Sequence, residues 1–318
     1  MRSIRTRRID AALIGCGEWG AKVARSAHET GLFRIASVTD RNGAHAITLA
    51  TAFDAPVRSF ARVAEDPGIE AVLIVTDASS HFDYARAALE AGKHVFAEKP
   101  LALSSAEALV LAERAEAARL TLMTGHTYLY AQGLHTLRRA IARGDIGELM
   151  FISSERLAYG RFREDVDALF NLGPHDVSII HALTGCLPLQ VRCEAYPVSR
   201  ALCDIAIFTA DFGSLKAHVH LSAVHPLKVR RVAAAGTQGA IVFDDVSGRV
   251  ERVNSAGQRV DLTEPQQETP LKAECRHFAE CILQGTTPLS DGRHAALMLR
   301  VLEAASASAT RQGAWVPV

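Results

Sequence analysis

The chain has 318 residues, of which 48% are hydrophobic, so it is long enough for two domains with substantial cores. Lysine plus arginine and aspartate plus glutamate both number 35, a balance that argues against nucleic acid as a partner. No apolar run approaches the roughly 18 residues of a membrane span and no signal peptide is recognisable, so we expect no membrane partner. The six cysteines form no Cys-x-x-Cys pair, which predicts reduced thiols in a cytoplasmic protein.

The first part of the chain alternates between strand-like and helix-like segments. The predicted strands are 9–14, 33–40, 71–76, 94–97 and 120–124, and the predicted helices are 21–30, 81–91 and 104–119. Segment 71–76 is apolar throughout, as expected of a strand covered on both faces. The alternation predicts an α/β fold with a doubly wound parallel sheet, and we place this N-terminal domain at residues 1–124.

The pattern changes in the second part, residues 125–318. The predicted strands are 148–157, 189–195, 203–211, 215–221, 229–235 and 240–244, and the predicted helices are 132–142, 174–183, 271–283 and 291–311. Apolar and polar side chains alternate along segment 215–221, which predicts an antiparallel sheet covered on one face only. We therefore expect a C-terminal α/β domain with a largely antiparallel sheet.

A glycine-rich stretch, GCGEWG at 15–20, follows the first predicted strand and precedes the first predicted helix. Gly15 permits a tight turn, Gly17 lets the backbone approach a pyrophosphate, and Gly20 lets helix and strand pack closely. The helix N-terminus offers N–H groups and a positive dipole to the anion. The stretch, including Glu18 and Trp19, is therefore predicted to hold a dinucleotide; the alternative is a similar turn in a fold that has lost its cofactor.

An acidic residue, Asp40, ends the second predicted strand at the position where a carboxylate accepts the adenosine ribose hydroxyls. A carboxylate there repels a 2′-phosphate, so the sequence favours NAD. Arg41 follows directly and could instead bind that phosphate, which leaves NADP open.

Lys99 stands just beyond the predicted strand 94–97, between Glu98 and Pro100. In doubly wound folds ligands bind at the carboxyl edge of the sheet, where this lysine is expected. A partly desolvated lysine near a positive nicotinamide ring has a lowered pKa and is suited to proton transfer. We predict that Lys99 is catalytic and that Glu98 belongs to the cofactor site; an ordinary surface lysine is the alternative.

A third segment, GPHD at 173–176, is predicted to open a helix, because proline suits a first helical turn. His175 would then project from the helix start, where its imidazole could take a proton from a substrate hydroxyl while hydride leaves the carbon. The alternative is that His175 or Asp176 merely caps the helix.

These segments, with AALEAGKHVFAEKP at 87–100, resemble the Gfo/Idh/MocA oxidoreductase family over nearly the whole chain. The resemblance implies a Rossmann domain, a C-terminal domain with an open sheet often used for oligomer contacts, and a sugar, polyol or nucleotide-sugar substrate. It implies that Lys99 and His175 flank the reactive carbon and that Thr76 and His81 lie near the cofactor. Many members carry an aspartate four residues before the histidine, where this chain has Asn171.

Further side chains are predicted to border the substrate: His126, Tyr128, Tyr159, Arg161 (or Arg163), Asn171 and Asp176. Asp176 could partly replace the missing aspartate, although adjacent helical residues point about 100° apart. A common proline after Thr76 is replaced by Asp77. His218 and His220 share a strand face, but without a carboxylate or cysteine at a recognisable spacing we predict no metal.

The sequence supports three functions. The first is an NAD(P)-dependent dehydrogenase or reductase that acts on a CH–OH group. The second, allowed by family analogy alone, is a glycosidase that oxidises its sugar transiently and restores it. The third is a regulatory protein that binds NAD without catalysis, which Lys99 and His175 argue against. An uncovered sheet predicts a homodimer or homotetramer.

Overall fold

The computed structural model describes residues 7–160, 166–199 and 202–318. The chain divides into two compact units. The first contains the described residues up to His126 together with Leu271–Ala296, and the second contains Thr127–Pro270 and Leu297–Val318. The boundary predicted between residues 124 and 125 lies close to the first division, but the return of Leu271–Ala296 to the first unit is not part of that prediction.

The first unit contains a five-stranded parallel sheet with the strand order β2-β1-β3-β4-β5. Its strands and helices are β1 Ile9–Ile14, α1 Glu18–Glu29, β2 Phe33–Thr39, α2 Gly43–Phe53, α3 Phe60–Glu65, β3 Ala71–Ile74, α4 His81–Glu90, β4 His94–Glu98, α5 Ser105–Ala118 and β5 Leu122–Gly125. Every side chain of β3 is buried, as predicted for a strand covered on both faces. The predicted doubly wound parallel sheet is confirmed.

Helices α2 and α3 were not predicted from the sequence. Each begins at a polar cap: the Asn42 side chain accepts a hydrogen bond from Ala44 N at 3.0 Å, and the Ser59 side chain accepts one from Arg62 N. Only a few of their residues are buried, so the apolar spacing that signals a helix is weak. Between them, Val57 forms a parallel bridge with Val38, which extends the sheet beyond β2.

Two further helices follow in the chain, α8 Pro270–Gln284 and α9 Gly292–Thr310. Phe278 of α8 is fully buried in the first unit, where its ring centroid lies 5.9 Å from that of Phe33 and 5.8 Å from that of Phe96. Aromatic pairs at such distances stabilise a core beyond simple area burial. These contacts explain why a C-terminal segment belongs to the N-terminal unit.

The second unit contains a nine-stranded sheet with the order β13-β12-β11-β10-β6-β9-β8-β7-β14. Its remaining elements are α6 Gln132–Ala142, β6 Leu149–Tyr159, α7 Ala168–Thr184, β7 Gln190–Tyr196, β8 Ile205–Asp211, β9 Lys216–Ser222, β10 Val224–Gly236, β11 Gly239–Asp244, β12 Arg249–Asn254, β13 Arg259–Asp261 and β14 Val316–Pro317. Among the described strands, β6 and β9 form the single parallel pair of this sheet. In β9, Ala217, Val219 and Leu221 are fully buried while Lys216, His218 and His220 are not, so the largely antiparallel, half-covered sheet is confirmed.

Helix α7 begins earlier than the sequence suggested. The Asp167 side chain caps it by accepting a hydrogen bond from Phe170 N at 2.9 Å, and Ala168 and Leu169 are buried in its first turn. Pro174 therefore lies inside the helix rather than in its first turn. The prediction that His175 projects from the helix start is wrong, because the aspartate cap and the buried residues extend the helix by about two turns. No helix in the described parts of the chain is long and apolar enough to span a membrane.

Candidate active site

The three glycines of the stretch 15–20 have different surroundings. Gly15 has φ +97°, and a Cβ there would lie 2.3 Å from the Val75 carbonyl oxygen. A Cβ on Gly20 would lie 2.0 Å from the Gly15 carbonyl oxygen. Gly17 has an ordinary φ of −65°, and a Cβ on it would meet no heavy atom within 4 Å. The fold itself requires Gly15 and Gly20, whereas the open space at Gly17 is available to a ligand.

Asp40 supports the glycine turn from the end of β2. Its Oδ2 accepts a hydrogen bond from Cys16 N at 2.5 Å, and its Oδ1 accepts one from Asn42 N at 2.7 Å. Burial, with the Asp40 charge beside it, raises the pKa of the Cys16 thiol to about 12, so this thiol stays neutral. The predicted cofactor carboxylate thus also holds the turn in place.

Arg41, the residue that left NADP open, forms an ion pair with Asp77. Its guanidinium nitrogen lies 2.5 Å from Asp77 Oδ2, and 86% of the arginine side chain is exposed. Asp77 occupies the position where the family resemblance leads one to expect proline. The guanidinium that could bind a 2′-phosphate therefore already has an anionic partner.

His81 joins two loops at the carboxyl edge of the parallel sheet. It is buried, and each ring nitrogen lies within hydrogen-bond distance of a backbone carbonyl oxygen: Nδ1 of Pro100 O at 2.7 Å and Nε2 of Thr76 O at 3.1 Å. Thr76 Oγ1 lies 2.7 Å from Ser80 Oγ in the first of these loops. His81 thus fixes the turn that carries Lys99 against the loop after β3. The cofactor contacts predicted for Thr76 and His81 stay predictions.

Trp19 and Glu98 connect the glycine turn to the end of β4. Trp19 Nε1 donates a hydrogen bond to Glu98 Oε1 at 2.6 Å, and Lys99 N donates one to Glu98 Oε2 at 3.3 Å. Gly125 packs directly on this carboxylate, since a Cβ there would lie 3.0 Å from Glu98 Oε1. Glu18 instead pairs with Lys22 at the exposed start of α1, at 3.1 Å.

Lys99 and His126 follow two neighbouring strands, because Glu98 of β4 is in register with Gly125 of β5. His126 is buried, and its Nδ1 has no hydrogen-bond partner among the described residues. Its ring contacts that of His294 edge to face, with centroids 5.2 Å apart. Burial, then the charges of His294 and Lys99, holds the pKa of His126 well below its ordinary value. The site therefore holds a lysine beside a neutral histidine. No pattern in the sequence indicates His294, which comes from α9.

The second unit places His175 on α7, one turn after Asn171, and both side chains are half-buried on the same helix face. Tyr128 contacts His175 edge to face, with ring centroids 4.8 Å apart and ring planes at 73°. The Arg156 guanidinium carbon lies 4.1 Å from the Tyr128 ring centroid. Two of the predicted substrate side chains, Tyr128 and Asn171, are thus close to His175 in the fold or along its helix.

Asp176 is fully buried on the face of α7 that packs against β6. Its Oδ2 accepts a hydrogen bond from Arg156 Nε at 2.6 Å, and its Oδ1 accepts one from Ser154 Oγ at 2.6 Å. Burial opposes the charge of Arg156, but Asp176 and Tyr128 outweigh it and raise the pKa of the guanidinium. This geometry favours an anchoring role for Asp176 over the predicted substrate contact. Arg156 itself was not found from the sequence, where it is one of many arginines.

The other predicted positions are less informative. Tyr159, the last residue of β6, is 74% exposed. Arg161 and Arg163 lie outside the described residues. Within the described parts of the chain, no group of three or more histidine, cysteine, aspartate or glutamate side chains could hold a metal ion.

Two family models match the chain. One, described as an oxidoreductase family with an NAD-binding Rossmann fold, matches residues 9–126, and the Gfo/Idh/MocA C-terminal domain matches residues 134–242. Together they span more than half of the sequence. The chain belongs to the Gfo/Idh/MocA oxidoreductase family.

Named relatives support this membership. The chain is 29% identical to scyllo-inositol 2-dehydrogenase (NAD(+)) of Bacillus subtilis, over 77% of each protein. It is 33% identical to UDP-N-acetylglucosamine 3-dehydrogenase of Acidithiobacillus ferrooxidans, over 61% of this chain and 60% of that protein. An oxidoreductase domain protein from Kribbella flavida has the same fold, with a TM-score of 0.89 at 19% identity over 98% of this chain and 99% of that one.

The first unit of this Gfo/Idh/MocA protein is an NAD-binding Rossmann domain. The residues present fit such a cofactor: α1 begins with no side chain capping it, and the space at Gly17 is open. A helix N-terminus of this kind supplies N–H groups to a pyrophosphate. Gly15–Gly20 and Asp40 are the residues that would hold it.

Proposed function

We propose that this protein is an NAD-dependent dehydrogenase that acts on a hydroxyl-bearing carbon of a polyol, a sugar or a nucleotide sugar. The observation that carries the proposal is the edge of the parallel sheet, where Lys99 follows β4 and a neutral, buried His126 follows β5. The glycine turn after β1 belongs to the same sheet edge. The named dehydrogenases of inositol and of UDP-N-acetylglucosamine support the substrate class.

In this proposal the bound nicotinamide supplies the hydride chemistry. The Lys99 ammonium polarises the substrate oxygen, and the His175 imidazole removes or returns the hydroxyl proton. His126, neutral and buried next to Lys99, stays a predicted neighbour of the substrate. Asn171 is an amide and takes no proton, so it orients the substrate or the imidazole without joining a proton relay.

The preference for NAD follows from two carboxylates. Asp40 accepts backbone hydrogen bonds at the turn and keeps acceptor capacity for ribose hydroxyls. Asp77 pairs with Arg41 and thereby competes with a 2′-phosphate for the guanidinium. Both features disfavour NADP.

The test is a panel of scyllo-inositol, myo-inositol, UDP-N-acetylglucosamine and related sugars, each with NAD and with NADP, followed at the reduced-nicotinamide absorbance band. The most active substrate is then tried with Lys99→Ala and His175→Asn. We expect both variants to bind NADH, measured by its fluorescence, and to lose at least about a hundredfold in kcat, the range of acid–base catalysis.

Matched controls come from helices outside the predicted site residues: Lys272→Ala on α8 and His28→Asn in the last turn of α1 remove the same residue types and should keep full turnover. Full turnover in Lys99→Ala or His175→Asn would refute the mechanism. Release of a sugar leaving group without net NADH formation would instead indicate a glycosidase, and NAD binding with no turnover on any substrate would indicate a regulatory protein.

We also propose that the protein forms a homodimer or homotetramer through the half-covered face of the second sheet. Phe151 on β6 is 40% exposed on a face whose neighbours include the small side chains Ala233 and Ala235 of β10. Light scattering on the purified protein tests this, with Phe151→Asp expected to shift the mass towards the monomer. A monomeric wild-type protein would refute the proposal.

A further inference from the structure

In the second unit, Asp176, Arg156 and Tyr128 form a closed circuit of contacts that leads from α7 back to the His175 side chain. Asp176, the next residue on α7, binds Arg156 on β6 through Nε at 2.6 Å. The Arg156 guanidinium stacks 4.1 Å from the Tyr128 ring centroid, and the Tyr128 ring contacts the His175 imidazole at 4.8 Å. The circuit thus starts at the residue bonded to His175 in the chain and ends at the His175 side chain.

We propose that Tyr128, Arg156 and Asp176 are positioning residues that fix the orientation of the His175 imidazole for proton transfer. The inference deepens the proposed function and rests on His175 being the proton-transfer group. It reassigns Tyr128 and Asp176, which the sequence placed against the substrate. In this assignment the ring of Tyr128 matters and its hydroxyl does not.

The direction of each side chain supports the assignment. Adjacent helical residues point about 100° apart, so Asp176 and His175 address different neighbours. Asp176 faces β6, where Ser154 and Arg156 occupy both its oxygens, and this fixes the rotation of α7 about its axis. His175 faces Tyr128, and an edge-to-face contact restricts the rotation of the imidazole about its side-chain bonds.

Arginine suits the connecting position because its planar group can bind a carboxylate and stack on a ring at the same time. Arg156 does both: Nε and the second guanidinium nitrogen lie 2.6 and 3.4 Å from the two oxygens of Asp176 while the group lies over Tyr128. A lysine has a single ammonium and cannot hold both neighbours with this geometry. A buried charge pair is costly unless its geometry is well satisfied, as it is here.

Two arginines lie over the Tyr128 ring, and each is paired with a carboxylate. Arg156 is balanced by Asp176, and Arg230, whose guanidinium carbon lies 5.7 Å from the Tyr128 ring, is paired with Asp245 at 3.7 Å. Both arginine charges are therefore held in fixed pairs beside the ring that contacts His175.

The experiment compares Tyr128→Phe with Tyr128→Leu on the most active substrate of the panel. A positioning ring predicts that Tyr128→Phe keeps kcat and KM within about twofold, whereas Tyr128→Leu lowers kcat about ten- to a hundredfold with little change in KM, as expected for a misaligned reacting group. A hydroxyl that binds substrate predicts the reverse, with KM raised equally in both variants. That result, or full kcat in Tyr128→Leu, overturns the inference.

The second arm tests the charged part of the circuit. Arg156→Met with Asp176→Asn removes both buried charges, so the double variant is expected to fold, which thermal unfolding checks. We expect its kcat to fall about tenfold or more while NADH binding stays unchanged. Arg156→Lys should not restore kcat. A folded double variant with wild-type kcat would contradict the inference.

A spectroscopic arm needs no substrate. The His175 ring proton signal, assigned by its loss in His175→Asn, carries a ring-current shift from Tyr128 that Tyr128→Phe should keep and Tyr128→Leu should abolish. Unchanged shifts in Tyr128→Leu would refute the contact. If His175→Asn keeps full turnover, the proposed function fails; if it is inactive while Tyr128→Leu is fully active, only the positioning role fails.

Discussion

Replacing Gly17 by alanine is the sharpest test of the cofactor site, because it separates stability from binding. The backbone at Gly17 has φ −65°, which alanine adopts without strain, and its Cβ would meet no heavy atom within 4 Å. The substitution should therefore leave the cofactor-free protein unchanged or stabilise it by about 0.4–1 kcal/mol, because alanine restricts the unfolded chain. The added methyl group instead occupies the space through which the backbone approaches a pyrophosphate.

The expected size follows from ligand linkage. At a free NAD concentration about 100 times its Kd, binding stabilises the folded protein by about 2.7 kcal/mol. If Gly17→Ala weakens binding about a hundredfold, a loss of about 2.7 kcal/mol in binding free energy, the same NAD concentration stabilises the variant by only about 0.4 kcal/mol. The assay is thermal unfolding with and without NAD, supported by NADH fluorescence titration.

Two glycines provide the controls. Gly43, at the start of α2, also has open space around a Cβ, so Gly43→Ala should be at least as stable as the wild type and keep the NAD-induced shift. Gly20→Ala forces a Cβ to within 2.0 Å of the Gly15 carbonyl oxygen and should destabilise the protein by about 1–3 kcal/mol even without NAD. An undiminished NAD-induced shift in Gly17→Ala would refute the assignment of this turn to the cofactor.

Further predictions concern specificity, stability and pH. Asp77→Asn should release Arg41 and tighten NADP binding two- to fivefold, since an exposed ion pair is worth at most about 1 kcal/mol; unchanged titrations with NADP would exclude the competition. Arg156→Met alone leaves the buried Asp176 charge unpaired and should lower the free energy of unfolding by about 3–5 kcal/mol, whereas adding Asp176→Asn should recover most of this loss in a urea titration. Additive losses would contradict that reasoning. The pKa of His126 lies well below its unfolded value, so the stability that this residue contributes is complete above about pH 6.5 and is lost as pH falls, by up to about 1.4 kcal/mol per pH unit. In urea titrations, the free energy of unfolding should therefore fall less between pH 7.5 and pH 5.5 in His126→Gln than in the wild type. Equal losses in the two proteins would exclude this role.

Local patterns in the sequence predict the Rossmann sheet well, because each of its strands is short, apolar and bounded by a turn. They fail where the deciding contact is distant in sequence. Phe278 joins the first unit through rings of β2 and β4, and Arg156 acquires its role only when β6 lies beneath α7. The start of α7 was misplaced for a different reason, since Pro174 suggested a first turn while the cap at Asp167 and the buried residues after it determine the true one.

The same distinction applies to the chemistry of the site. The position of Lys99 could be predicted because it follows a strand at the carboxyl edge, a position set by local topology. The neutral state of His126 could not, because it depends on burial and on charges from β4 and α9. The pairing of Arg41 with Asp77 is equally invisible in the sequence, although Asp77 itself departs from the family pattern. Such a departure therefore indicates where to test specificity, because the new side chain places a carboxylate against Arg41, whose guanidinium could otherwise bind a 2′-phosphate.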